Sequence, residues 1–444
     1  MRIDLPYLTF RALVRPGLAG IPLARRVRPD EVTIGTIVDG ARITFFSAMV
    51  GGGPSAACTI VADGDAIASE NGAMRIDLGS SRKNARTKDV GLNKSFTRTW
   101  LVDRFCPPLV AGYNAAKMRI RLYTEPDDSR EGPVGQHGLR VELYGPDTPN
   151  RLLSLRFAAA PLEARNAPGQ AERVLVLKAS FLRRLSNCLG LCKIRGANVD
   201  IVSARGYCAL VVRDACLSSV IDMVPGDYEA HREFARVSFG ARDFASAVED
   251  HAGADMEICR FAETQDRGGM VRLAAPGWYR DCDCVWDGDP GAGREPDLAA
   301  PHTRPLVLPR DMLCRAVRAV CRGADNIWLR LHHRSAQVTV VGEKTRKGNS
   351  RKPESREILT MVAMDSGLPP SAGGISSWRV SKAHLQKVTQ SMSGPKICVY
   401  PADGALVLVD PGEPFVGHRL NCEPIEALDQ ENARKLLEME AGLA

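Results

Sequence analysis

The feature that most constrains this 444-residue chain is a strand–helix–strand–strand order that returns along its length. It is clearest near the end, in WRVSKAHLQKVTQSMSGPKICVYPADGALVLVD, residues 378–410. Residues 378–380 are β-compatible, Ser381 offers a capping hydroxyl, and Leu385 and Val388 stand three residues apart, as one face of a helix requires. Ser393-Gly394-Pro395 ends that helix. KICVY and ALVLVD then flank Asp403-Gly404, a strong hairpin signal.

The same order is read in residues 304–342, in 235–277 and in 174–214. The N-terminal third follows it less regularly. Residues 7–48 give a strand, a helix interrupted by Pro22, and two strands flanking Asp39-Gly40. Residues 96–157 give another copy, whose helix must hold Pro107 and Pro108 in its first turn. First strands begin near Leu8, Thr97, Val174, Ala235, Leu306 and Trp378, a mean period of roughly 74 residues, too long for a solenoid repeat. Six half-domains make three domains, which agrees with about 150 residues per domain. The fold class is α+β, built of repeated β-α-β-β half-domains. The expected boundaries are 1–165, 172–280 and 303–420, followed by an acidic helical tail, 421–444. Pro/Gly-rich linkers are read at 161–173 and 277–305, and basic loops at 80–88 and 342–357.

No apolar run approaches the ~18–20 residues of a membrane span, and MRIDLPYLTF lacks the apolar core of a signal peptide. The expectation is an intracellular protein. Thirteen cysteines, scattered through strands and helices, read as small core residues of a reduced protein. Formal charge is +7, but the last 24 residues hold six acids against two bases, which leaves +11 on the rest. A basic body with an acidic tail suits a polyanionic partner such as nucleic acid.

The helices carry that charge on one side. In the third domain Met312, Leu313, Ala316, Val317 and Val320 form an apolar stripe, and Arg315, Arg318 and Arg322 lie on another face. In the second, Leu182, Leu185 and Leu189 oppose Arg183, Arg184 and Lys193. The last helix offers Lys382 and Lys387, and the first Arg25 and Arg26. The fourth is an exception, since Asp243, Glu249 and Asp250 offset Arg242. For one such helix a solvated surface is the simpler reading; repetition in four of six favours a phosphate-facing surface that reads no bases.

Enzyme and metal motifs are missing. Cys188 and Cys192 fit a helix core, Cys282-x-Cys284 lacks a second ligand pair, and His332 and His333 face opposite ways on a strand. GGGPSAAC at 51–58 and GEKT at 342–345 are incomplete as phosphate loops. No cofactor or metal is expected. Acids gathered from separate strands leave no local trace, so a nucleic-acid enzyme of α+β class stays open.

In this order of elements the chain resembles the DNA sliding clamp superfamily, which includes proliferating cell nuclear antigen. LKASFLRRLSNCLGLC is similar to the clamp's first helix, VSFGARDFASAVEDHAGADMEICRF to its second half, and residues 378–410 to its closing half-domain. The span 172–410 resembles one such protomer, and the whole chain has the three-domain count of a bacterial β clamp. The resemblance implies helices lining a ring around duplex DNA, a polymerase processivity function without catalysis, and a homodimer completing six domains. It also implies a pocket near the interdomain connector for a short peptide of the polymerase. Trp278, Tyr279 and Trp286 on that connector, with Val409, Pro411, Phe415 and Val416 after the last strand, are the candidates. Local packing is the competing reading of these aromatics. A monomeric clamp-fold DNA-binding or transcription factor is the alternative function. The cysteines, basic loops and divergence suggest a viral protein acting in the host nucleus, otherwise in the cytoplasm; KTRKGNSRKPESR reads equally as a nuclear localisation signal, a phosphate-contacting loop or a solvated loop.

Overall fold

Period-two burial defines most strands. In Arg2–Pro6, Ile3 and Leu5 are buried and Arg2 is exposed, and Ile120 and Leu122 alternate with Arg119 and Arg121 in Arg119–Pro126. The computed structural model describes the chain except residues 1, 24, 62–66, 69–71, 78–94, 107–113, 127–136, 146–150, 162–170, 205–206, 233, 252, 262–268, 288–304, 321–325, 333–336, 346–352, 363–364, 367–374, 403, 414–415 and 423–444. Seven α-helices are described: α1 Tyr7–Gly17, α2 Arg98–Phe105, α3 Ala179–Arg184, α4 Leu189–Cys192, α5 Ala241–His251, α6 Arg310–Ala319 and α7 Lys382–Ser391. The chain forms two compact units, Met1–Leu182 with Tyr228–Arg232 and Ser246–Val285, and Arg183–Asp227 with Glu233–Ala245 and Trp286–Ala444. The chain passes between them at 182/183, 227/228, 232/233, 245/246 and 285/286.

In the first unit one antiparallel ladder runs Ile67–Ala68, Arg2–Pro6, Arg119–Pro126, His137–Tyr144, Arg151–Pro161, Gly72–Asp77, Val32–Asp39, Arg42–Met49, Ser55–Val61, Trp278–Asp287, Met270–Ala275, Met256–Phe261, Ala171–Leu177 and Tyr228–Ala230. The join between its N-terminal and later segments is the pairing of Cys58 with Trp278 and of Ala56 with Arg280. A buried charged ladder secures it. Arg272 donates to both oxygens of Asp281 at 2.7 and 3.1 Å, and Ser55 Oγ donates to Asp281 at 2.6 Å.

The second unit has a ladder of Arg236–Gly240, Asn198–Ala204, Tyr207–Arg213, Leu217–Met223, Val416–Asn421, Ala405–Val409, Lys396–Ala402, Leu306–Pro309 and Asp365–Ser366. Its second sheet is ordered Pro353–Val362, Gln337–Thr345, Asn326–His332 and Ile375–Ser381. Both Asp-Gly hairpins form as the sequence indicates: Asp39 pairs with Arg42 and Ala402 with Ala405, with Gly40 and Gly404 at positive φ of 55° and 62°.

Here too two chain segments share a sheet, Leu217–Ile221 against Val416–Leu420, and a histidine bridges them. Fully buried His418 lies 2.9 Å from Ser219 Oγ and 3.4 Å from Ser391 Oγ. Ser391 Oγ–H already donates to Val388 O, so His418 donates from Nε2 and accepts the Ser219 hydroxyl at Nδ1. Burial holds the His418 pKa down, at about 4, against the pull of Asp410. Its neutral form therefore stabilises the fold fully above pH 6.5, and that contribution is lost as pH falls toward 4. It is worth up to ~3 kcal/mol. In chemical denaturation at stepped pH, His418→Gln is expected to flatten this part of the profile; an unchanged slope would remove His418 as its source.

Three local expectations are corrected. The first strand is Arg2–Pro6 rather than one near Leu8, and YLTFRALVRPG is α1, because Tyr7, Phe10, Leu13 and Val14 bury at helical spacing. Helix α2 precedes Pro107 instead of containing it; Thr97 caps it by accepting Trp100 N–H. Residues 278–287 are a strand, not linker, since the Pro276-Gly277 turn folds them back on 270–275.

Candidate nucleic-acid interface

In the second unit, helices α4, α6 and α7 pack side by side, with α7 touching both others. Arg310 Nε and Cys314 Sγ of α6 donate to Thr389 O of α7 at 3.2 and 3.8 Å. On α6, Leu313, Ala316, Val317 and Val320 are buried and Arg315 and Arg318 are exposed, as the periodicity requires. Met312, expected in the stripe, is 40% exposed. Arg322 lies outside the described residues.

Leu185 and Leu189 are buried as expected, and Arg183 and Arg184 at the end of α3 are exposed. Arg184 pairs with the buried carboxylate of Asp227, which also accepts Val224 N–H at 2.9 Å. Lys193 is exposed in the turn after α4 rather than on the helix. On α7, Leu385 and Val388 are buried, and Lys382 and Lys387 are half-buried. Lys382 Nζ donates to Val320 O, so this lysine caps the carbonyl end of α6. Arg25 and Arg26 leave the expected set: both are exposed beyond α1, and Arg25 stands 3.9 Å from Glu31. The chain departs from helix at Gly17, before reaching them.

One base that sequence reasoning passed over and one that it discounted stand near Lys193. Arg195 is exposed in the turn after α4, and exposed Arg242 at the start of α5 donates to Lys193 O at 3.5 Å. Two of the three acids that discounted α5 are engaged elsewhere: in the first unit Glu249 and Asp250 face Arg15 of α1 at 3.8 and 3.3 Å. Burial raises the Asp250 carboxyl pKa, and Arg15, Arg98 and Arg280 pull it down. The signal for Arg15 was its place on an 11-residue helix that begins at Tyr7.

The aromatics expected on an exposed connector are packed. Trp278 is 4% exposed and stacks on His251 with ring centroids 4.1 Å apart. The Arg272 guanidinium lies 4.2 Å over Tyr279, and Trp286 meets Phe234 edge-on at 5.9 Å. Val409 is half-buried opposite Cys398 and Gly417, Pro411 is exposed, Val416 is buried, and Phe415 lies outside the described residues. Cys188 and Cys192 are buried, as a helix core requires, and burial pushes the Cys188 thiol up to about 12. No grouping of three metal-ligating side chains occurs among the described residues. His384 bridges Asp214 and Ser381, at 2.6 Å on each ring nitrogen. Because the other Asp214 oxygen accepts the amides of Cys216 and Leu217, this trio fastens α7 to the 214–217 turn.

No protein-family model and no curated protein sequence matches the chain. Solved structures do. The DNA polymerase sliding clamp of Caulobacter crescentus superposes with a TM-score of 0.60 at 13% identity, covering 96% of this chain and 100% of that one. The β-subunit sliding clamp of Pseudomonas aeruginosa bound to griselimycin gives 0.60 at 11% identity, and the Helicobacter pylori β clamp 0.60 at 8%, both with the same coverage. Sheet order, helix placement and near-complete mutual coverage lead to one conclusion: the chain has the fold of the DNA sliding clamps.

Proposed function

We propose that this protein is a DNA sliding clamp that holds duplex DNA without reading its sequence and tethers a DNA polymerase, itself performing no catalysis. The observation that carries this reading is the bases on and beside the packed helices: exposed Arg315 and Arg318 on α6 and half-buried Lys387 on α7, whose other faces are buried, with exposed Arg183 and Arg184 at the end of α3 and exposed Lys193 in the turn after α4. Such a surface neutralises phosphates and leaves base edges untouched, which permits sliding. Three clamp-like domains per chain make a homodimer the simplest six-domain ring. The polymerase would bring a short peptide to the region of Val409, Pro411 and Phe415. The basic stretch 342–357 supports residence in a nucleus, as a viral replication protein would need.

A closed ring is tested by topology. After loading on nicked circular DNA, the protein is expected to stay bound at salt concentrations that strip it from linear DNA, and linearising the circle should release it. Equal loss from both forms would leave an open monomeric binder. Primer extension with the cognate polymerase tests tethering, since a clamp-fold transcription factor leaves product length unchanged. Divalent-metal-dependent turnover of the DNA would replace the reading with a nucleic-acid enzyme.

A further inference from the structure

Helix α2 of the first unit buries Arg98, Leu101 and Phe105 at the spacing of one helix face. Trp100 and Arg104, four residues apart, share a flank of the helix outside that face. Trp100 is half-buried, and its ring lies 6.3 Å from that of buried Phe96, tilted by 40°. Its indole N–H has no hydrogen-bond partner among the described residues. The Arg104 guanidinium lies 4.8 Å over the indole, and Arg104 is exposed. One ring face is therefore covered by a solvated cation and not by the core.

A second cation stands at the other end of this flank. The antiparallel bridge between Val27 and Phe96, with both amides donating at 2.8 Å, sets Arg26 beside Thr97, the N-cap of α2. Neighbouring Arg28 is taken up by Asp30 and Glu31 at 3.7 and 3.6 Å, whereas exposed Arg26 enters no ion pair among the described residues. The acid of α2 is Asp103, and Arg11 of α1 offsets it. Burial pushes the Cys106 thiol up to about 12, and of the two charges that act on it Arg11 lowers it and Asp103 raises it. Arg26 and Arg104 thus bracket the indole along the helix.

We infer that Trp100 is a stacking platform for one unpaired base of a single-stranded nucleic acid, with Arg26 and Arg104 meeting the neighbouring phosphates. A strand that alternates planar base and phosphate matches a ring bracketed by cations, and stacking of a base on an aromatic ring tolerates any sequence. An intact duplex cannot use the ring, because its base faces are already stacked on one another. An acidic peptide would engage the cations and leave the indole unused. This site belongs to the first unit and does not rest on the encirclement of duplex DNA.

The test is fluorescence anisotropy with the full chain and four labelled probes of one length: oligo(dT), oligo(rU), an abasic strand with the same phosphates, and a duplex. Wild type is expected to bind the better of the two pyrimidine strands about tenfold more tightly than the abasic strand, as stacking of one base provides; which of the two is better identifies the sugar. Trp100→Leu keeps an apolar side chain against Phe96 but has no planar face. It should abolish the tenfold preference and leave abasic-strand and duplex binding at wild-type values. Trp100→Tyr should retain most of the preference, and Arg26→Gln should weaken pyrimidine and abasic strands by the same factor. Should Trp100→Leu melt early, Trp100→Met replaces it, with the same expectation. Equal wild-type affinity for the pyrimidine and abasic strands overturns the inference, as does a preference that survives Trp100→Leu. Loss of duplex binding along with the single strands in a folded Trp100→Leu also overturns it, and makes Trp100 a support for phosphate contacts alone. Retention on circular duplex tests the clamp reading separately from all of these.

Discussion

Replacing Asp281 with Ala is expected to cost the first unit ~3–5 kcal/mol, the range for breaking a buried ion pair from one side. Asp281 is 1% exposed, accepts two bonds from Arg272 and one from Ser55, and stands one residue from the pairing that joins Ser55–Val61 to Trp278–Asp287. Without it the Arg272 guanidinium stays between the Tyr279 and Phe261 rings, at 4.2 and 4.9 Å, with its charge stranded. Thermal melting should show the loss, and hydrogen exchange should place it at residues 55–61 and 270–285 rather than in Val416–Asn421. The compensating pair Arg272→Met with Asp281→Leu should recover most of the stability, because two apolar side chains leave no buried charge behind. A melt for Asp281→Ala within experimental error of wild type would mean that water already solvates this ladder.

The largest functional effect is expected from Arg315→Glu with Arg318→Glu. Both side chains are exposed on α6, whose apolar stripe stays untouched, so the fold should persist. If α6 belongs to the proposed DNA surface, reversing these two charges should lower affinity for a random-sequence duplex by about 100-fold at low salt and reduce the slope of log K against log salt by about 2. The loss should be the same for unrelated sequences. Lys382 is a poor choice for this experiment, because its contact with Val320 O belongs to the helix end and its reversal would damage packing. If affinity and slope both held at wild-type values, α6 would be a solvated face and the phosphate contacts would lie elsewhere.

Much of this architecture was legible because its signals are local. Leu385 and Val388 lie on a buried helix face, Leu313, Ala316 and Val317 do the same on α6, and the Asp-Gly pairs at 39–40 and 403–404 close hairpins. What escaped was set by partners distant in sequence. Tyr7-Leu8-Thr9-Phe10 has strand-favouring residues, yet Tyr7 bonds through its amide to Met118 O and its ring is buried, and helical spacing wins. Glu249 and Asp250 looked like a reason to discount α5 until Arg15, more than 230 residues earlier, took their charge. Trp278 looked like an exposed anchor because nothing local reveals that His251 covers it. The basic helix faces were readable one at a time. That α7 lies against both α4 and α6 was not, since sequence periodicity says nothing about which helices are neighbours.

The buried thiols give this molecule a way to report on itself. Cys58 sits opposite Trp278 at the joining pair of the first unit, and buried Cys188 is the N-cap residue of α4 in the second. Burial pushes both up to about 12, so at neutral pH neither presents the thiolate an alkylating reagent attacks. Each becomes reactive only while its surroundings are parted, and the rate of modification at one cysteine then counts the openings of that unit alone. Each unit thus carries its own chemical clock, with no label to be introduced.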